Sequence, residues 1–316
     1  MCVSAAAMPA LGAQNRAQGP AGSCQEGLTT ASVPVPAGVK VFDNRVDVLL
    51  PSGYCSPGER NHRYPVLYLL HGAGDTFKAW TSNTDLTTLS RPYKLIIVMP
   101  DGGHNATAGW YSDWADGEYQ WETFHLGLLP GFVNQTYRTI PSDLGIAGLS
   151  MGGFGAMSYA ARHRGMFKVA ASFSGALDML YAAPVTGVVF SDLHSSYGTP
   201  DQRVWGDQLQ NRDVWAAHNP TSLAGNLQGT AVFLASGTGT PGGAQGDDLT
   251  NVGGYGLENG IFQMNLSMVR ALDTAGVPHT DHFYPGGYHG WPYWQADMHW
   301  ALPQIDAVLQ AAAPNR

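Results

Sequence analysis

In Gly148-Leu149-Ser150-Met151-Gly152 a hydroxyl stands between two glycines. The apolar segment Leu144-Gly145-Ile146-Ala147 leads into it, and Gly153-Phe154-Gly155-Ala156 follows with the small residues of a first helical turn. Gly-x-Ser-x-Gly at a strand-to-helix junction makes a nucleophile elbow. The serine occupies a tight, strained turn whose flanking positions pass so close to other backbone that a Cβ would clash. The helix beyond it points N-terminal N–H groups at Ser150, which stabilises negative charge developing there. The chemistry indicated is nucleophilic attack on a carbonyl. A glycine-rich turn with an incidental serine is the alternative, so the partners of Ser150 must decide.

A serine hydroxyl needs a base, and the base needs a carboxylate to orient it. When such an elbow supplies the nucleophile, the chain order is serine, acid, histidine. His289 fits the base: it follows Tyr284-Pro285-Gly286-Gly287-Tyr288 on a loop after the last strand, and Gly290-Trp291-Pro292 then opens a helix. His279, His282 and His299 fall in or beside that strand or inside the last helix, and read as structural or surface residues. Asp247, Asp248 and Glu258 all lie between the strand ending at Ala235 and the next helix, and spacing alone does not choose among them. The oxyanion needs two backbone donors. Met151, directly after the nucleophile, is one. The other is expected in His71-Gly72-Ala73-Gly74-Asp75, straight after a buried strand, with Ala73 the first choice and Gly74 the second.

Those residues need a sheet to hold them. Segments 65–70 and 95–100 are short and almost wholly apolar, as suits central strands buried on both faces. Segments 144–149, 169–173, 231–235 and 280–284 continue the series, and helical stretches are expected over 121–137, 154–163, 259–275 and 291–312. Strands alternating with helices favour a mainly parallel sheet covered on both sides. The stretch 182–220 reads as an irregular excursion over the site. The net charge of −8 and the lack of a basic cluster exclude nucleic acid as a partner. No apolar run is long enough to span a bilayer.

Residues 1–23 read as the remnant of an export signal or a disordered tail: 3–13 is small and apolar, then Gln14-Asn15-Arg16 turns polar. The remainder, 24–316, reads as one domain. Of the three cysteines, Cys2 falls in the tail, whereas Cys24 and Cys55 flank two strand-like segments, 29–35 and 45–50. If those strands pair antiparallel, the two thiols meet at one end, and export would permit a disulfide.

The motifs together resemble the esterase D-like branch of the α/β-hydrolases, and within it the secreted mycolyltransferases of the antigen 85 type. The carrying residues are Trp110-Tyr111-Ser112-Asp113-Trp114, Gln120-Trp121-Glu122-Thr123-Phe124, Gly148-Leu149-Ser150-Met151, Val204-Trp205-Gly206, Asn219-Pro220, Gly237-Thr238-Gly239-Thr240-Pro241 and His289-Gly290-Trp291-Pro292-Tyr293-Trp294. The resemblance implies an α/β-hydrolase fold, with a mainly parallel central sheet and helices on both faces. It also selects the acid: the family's glutamate opens the helix after the Gly-Thr-Pro loop, and Glu258 matches it. Met151 and Ala73 match its oxyanion donors. One departure bears on the acceptor. The mycolyltransferases carry Asp-Gly-Leu-Arg where this chain has His71-Gly72-Ala73-Gly74, so the arginine that helps to hold a sugar is replaced by Gly74. His71-Gly72 is similar to the hydrolytic esterases of the wider family.

The implied activity is a secreted serine carboxylic-ester hydrolase working through an acyl-enzyme, on a small-molecule or lipid ester, with no metal or organic cofactor. Acyl transfer to a sugar or lipid alcohol is the alternative. A binding protein on an abandoned scaffold is a third, and an intact Ser150, Glu258 and His289 argues against it. Gly74, Trp80, Trp114 and Trp291 are the candidate substrate contacts, with Trp110 and Trp294 also near the motifs.

Overall fold

A computed structural model of the protein describes residues 24–197 and 201–312; the expected export tail and Cys2 lie outside them. Its centre is an eight-stranded sheet with the order β1-β2-β4-β3-β5-β6-β7-β8. The strands are β1 (Gly27–Ser32), β2 (Arg45–Leu50), β3 (Tyr64–Leu70), β4 (Ile96–Pro100), β5 (Thr139–Leu149), β6 (Val169–Phe173), β7 (Ala231–Gly237) and β8 (His279–Tyr284). β1 and β2 run antiparallel to their neighbours, and the rest are mutually parallel. The apolar segments therefore form the sheet expected of them.

The helices are α1 (Ala79–Asn83), α2 (Leu86–Leu89), α3 (Leu129–Thr136), α4 (Met151–Arg162), α5 (Val185–Tyr197), α6 (Asp201–Trp205), α7 (Arg212–His218), α8 (Val252–Ala275) and α9 (Trp291–Ala311). Period-two alternation assigns the central strands to two cores. Val66, Tyr68 and Leu70 of β3 join Phe154 and Met157 of α4 and Ile261 and Met264 of α8 on one face. Leu67 and Leu69 join Met298, Leu302 and Ile305 of α9 on the other. A strand buried on both faces must be apolar at every position, which is why β3 and β4 show no polar alternation.

The antiparallel pairing of β1 with β2 sets Gly27 opposite Leu50. This brings Cys24 and Cys55 together in a disulfide with their Cα atoms 5.5 Å apart. Among the described residues no helix is long and apolar enough to cross a membrane.

Some elements differ from the sequence expectation. The 182–220 stretch is largely helical, as α5, α6 and α7. Its serines and glycines hid helices that tertiary packing stabilises: Val189 is buried, and the Phe190 ring meets Trp215 edge-on at 5.6 Å. The helix expected over 121–137 opens with a wider π-helical stretch over Thr123–Leu128 before α3. α8 begins seven residues earlier than 259, at Val252, because the Asn251 side chain caps it by accepting from Gly254 N–H at 3.0 Å. Glu258 consequently lies almost two turns inside α8 rather than at its opening.

Candidate active site

The carboxyl ends of the parallel strands converge on one cleft, where ligands bind in open α/β sheets. Ser150 follows β5 with φ 52° and ψ −121°, a conformation that costs a non-glycine residue strain. Its N–H is held by the Phe173 carbonyl at 2.9 Å. The flanking glycines are dictated by close approach. A Cβ on Gly148 would stand 2.4 Å from Gly152 backbone, and one on Gly152 would stand 2.6 Å from the Leu70 carbonyl oxygen. The elbow is wedged against the end of β3, with no room for larger residues.

β8 ends at Tyr284, and the following loop brings His289 over Ser150. His289 Nε2 lies 2.8 Å from Ser150 Oγ, and Nδ1 lies 2.8 Å from Glu258 Oε2. A carboxylate only accepts, so Nδ1 carries the proton and Nε2 is left to receive one from the serine. Glu258 Oε1 in turn accepts from Ser174 Oγ at 2.7 Å, Ser236 Oγ at 3.0 Å and Gly237 N–H at 2.9 Å. Ser174 and Ser236 stand at the ends of β6 and β7, so the sheet itself fixes the carboxylate. The His289 N–H donates to the Gly254 carbonyl at 3.0 Å, tying the histidine loop to α8. Glu258 is buried to 1% exposure, and its hydrogen-bond partners are all donors, as a buried carboxylate requires. Asp297, buried beneath it in α9, is pushed well above the usual carboxylate range by burial and then by the Glu258 charge.

The loop after β3 faces the serine from the other side. Gly72, Ala73, Gly74 and Asp75 line a cavity of about 170 Å³ together with Leu149, Ser150, His289, Gly290, Trp291 and Trp294. Met151 is the first residue of α4, so its N–H has no intrahelical acceptor. Ala73 lines the same cavity as Ser150, and the Met151 N–H opens α4 directly after the serine. Beneath the loop lies a buried polar network. His71 Nε2 accepts from Gly102 N–H at 2.8 Å while Nδ1 contacts the Gly72 carbonyl at 2.8 Å, which fixes a neutral Nδ1–H tautomer. Tyr111 donates its hydroxyl to the His71 carbonyl at 2.9 Å. His125 bridges the Asp101 carbonyl and the Tyr159 hydroxyl, and burial lowers its pKa to about 4.

The candidate aromatic contacts divide. Trp291 and Trp294 line the cavity. Trp80, Trp110 and Trp114 do not: they are 1%, 0% and 4% exposed and belong to the cores. Trp80 donates to the Leu70 carbonyl at 3.0 Å and meets Trp291 edge-on at 5.4 Å, so it backs the cavity wall from behind. Trp114 donates to the Gly109 carbonyl at 3.2 Å under the Arg203 guanidinium. Both were expected to touch substrate, but their indole N–H groups are satisfied in the interior, where large rings stabilise most.

The other acids and histidines lie elsewhere. Asp247 accepts from Gly242 N–H and the Tyr255 hydroxyl, and Asp248 from Thr250. His299 pairs with Asp85, and His282 stacks on Trp300. A larger cavity of about 510 Å³, lined by Leu28, Leu50, Ser90 and Arg91, opens at the opposite end of the sheet and holds no nucleophile–base pair. Sequence reasoning missed Ser174 and Ser236, for which no local signal exists, and the supporting role of His71, Tyr111 and His125.

Residues 43–305 match the profile of the family described as "Putative esterase". The chain is 35% identical over 254 residues to Esterase Rv1288 of Mycobacterium tuberculosis, covering 77% of this chain and 52% of that protein. It thus spans about half the length of that relative. It is 31% identical over 266 residues to the diacylglycerol acyltransferase/mycolyltransferase Ag85A of Mycobacterium tuberculosis, covering 79% of this chain and 75% of the relative. The crystal structure of Mycobacterium tuberculosis MPT51 superposes with a TM-score of 0.71 at 24% identity, over 90% of this chain and 100% of that one.

Proposed function

The chain belongs to the esterase family, and on that premise we propose that it is a secreted serine carboxylesterase in which Ser150, His289 and Glu258 are the catalytic triad. The observation that carries the reading is the continuous chain of contacts from Ser150 Oγ through His289 to Glu258, at 2.8 Å each.

Ser150 Oγ attacks the ester carbonyl carbon as His289 Nε2 takes its proton. Glu258 stabilises the imidazolium that forms. The Ala73 and Met151 N–H groups receive the oxyanion, which then collapses, breaking the bond to the alcohol oxygen. His289 returns its proton to that leaving group. Water repeats the sequence on the acyl-enzyme, with His289 again as base, and releases the acid and free Ser150. A cleft of about 170 Å³ flanked by Trp291 and Trp294 favours a short acyl group. The Cys24–Cys55 disulfide supports an oxidising, extracytoplasmic compartment. One sheet running from β1 to β8 supports reading residue 24 onward as a single domain.

Ser150→Ala is expected to lower p-nitrophenyl acetate hydrolysis by ~10³-fold or more while the variant stays folded. Near-normal turnover in that variant would sink the assignment. Across p-nitrophenyl esters from acetate to palmitate, kcat/KM should fall with chain length.

Acyl transfer is the second reading, favoured by the likeness to Ag85A. It shares every catalytic residue, with an alcohol replacing water. Formation of a new ester at modest trehalose or glycerol concentration would select it. Gly74 at the position of the acceptor-holding arginine favours hydrolysis.

A further inference from the structure

Among the described residues Asp75 is the one carboxylate on the cavity that holds Ser150 and His289, and the mechanism above does not use it. Its backbone N–H donates to the Gly72 carbonyl at 3.2 Å, closing a β-turn whose central residues are Ala73 and Gly74. Its side chain reaches back across the same turn, where Oδ2 accepts from Gly72 N–H at 3.3 Å. The two bonds are reciprocal, so the turn is locked at both ends. They also leave the Ala73 and Gly74 amides, which the turn does not consume, free for the cleft. Gly72 is clamped in the same place: a Cβ there would stand 3.1 Å from Asp75 Oδ2, 2.8 Å from Leu149 Cδ1 and 3.5 Å from Ser150 Cβ. The carboxylate therefore sits one residue's thickness from the nucleophile. Trp291, the first residue of α9 and two positions after His289, lines the same cavity as this carboxylate.

We infer that Asp75 is a positioning residue: its carboxylate fixes the 72–75 turn so that the oxyanion amides stay aimed at the carbon attacked by Ser150. Oxyanion donors act in the transition state only if they are already in place, so a loosened turn reduces kcat rather than substrate binding. The groups facing Asp75 are His71 at the end of β3, His289, Tyr111 and the Trp291 indole. Burial raises its carboxyl above the usual carboxylate range, against the opposing effect of the Gly72 N–H. Asp75 thus takes up its proton earlier on acidification than an exposed carboxylate would, and loses an acceptor as it does so.

The inference rests on the serine esterase reading, and the test separates the two. kcat and KM for p-nitrophenyl acetate are measured from acidic to neutral pH for the natural protein, Asp75→Ala and Asp75→Asn, with melting temperatures as a folding check. Asp75→Ala is expected to lose about tenfold in kcat with KM changed less than about twofold. Asp75→Asn, whose amide oxygen still accepts from Gly72, should recover most of that loss at neutral pH and fall off less steeply in acid than the natural protein. Should Asp75→Ala fail to fold, Asp75→Asn carries the test through its acid limb. Unchanged kcat in Asp75→Ala, a loss confined to KM, or an acid limb in Asp75→Asn equal to the natural one would each overturn the inference. A natural protein that turns over no ester overturns the esterase reading, and this inference with it.

Discussion

Glu258 and the 72–75 turn flank Ser150 from opposite sides of the cleft, and their surroundings differ in kind. The Glu258 carboxylate receives four donors, from Ser174, Ser236, Gly237 and His289, anchored at the ends of β6 and β7 and on the loop after β8. Its side is dry and almost closed. The 72–75 turn is held by two bonds of 3.2 and 3.3 Å within itself, and Gly74 is exposed at its tip. In the first region a charge is stabilised by an excess of short contacts in low dielectric, and the geometry has one solution. In the second, the backbone must leave its amides open to a substrate, so the turn is fixed by fewer contacts. Under the proposed function, the first region serves proton transfer and the second holds the oxyanion.

Substitutions on each side test that division. Glu258→Gln should cost the most, about a hundredfold or more in kcat, because the amide can present a donor to His289 Nδ1 and spoil its tautomer. A loss below tenfold would show that the sheet-end network is not what orients His289. Ser174→Ala removes one of three donors on Glu258 Oε1 and should lower kcat by about fivefold, the equivalent of about 1 kcal/mol. An unchanged pH–rate profile in that variant would argue that Ser236 and Gly237 suffice. Trp291→Ala, on the turn's side of the cleft, should act on selectivity: the ratio of kcat/KM for octanoate over acetate is expected to rise severalfold as the wall opens. A ratio equal to the natural one would remove Trp291 from the substrate path.

Replacing both Cys24 and Cys55 by Ser should leave kcat unaltered, since the bond staples β1 to the segment after β2, at the far edge of the sheet. A bridge across a separation of 31 residues contributes about 3–4 kcal/mol in the chain-entropy picture. The melting temperature should accordingly fall by roughly 5–15 °C. A matching loss of kcat in the folded variant would contradict the separation of edge from site.

Much of the architecture was legible because burial on two faces leaves a strand no polar positions. The runs at β3, β4 and β6 announced themselves for that reason. The apolar signal of β5 starts at Leu144, yet the strand begins at Thr139, where Pro141 and Ser142 are exposed. α8 was read too short because Gly253, Gly254 and Gly256 have low helix propensity, which the Asn251 cap offsets.

The sequence by itself determined what is local. The glycines around Ser150 follow from backbone passing within van der Waals distance at the elbow. The loop placement of His289 follows from its position after the last strand, and the Gly72-Ala73-Gly74 turn from its position after β3. Residue spacing left open which carboxylate meets His289; the family resemblance selected Glu258, and the tertiary structure supplies the physical reason. Asp247, Asp248 and Glu258 are equivalent by spacing, but Glu258 alone lies at the height in α8 where β6 and β7 end. Only the tertiary structure decided that Trp80 and Trp114 back the cores while Trp291 faces the cleft. Those choices depend on how α8 and α9 pack across the sheet, a contact between residues far apart in the chain, which no short motif encodes.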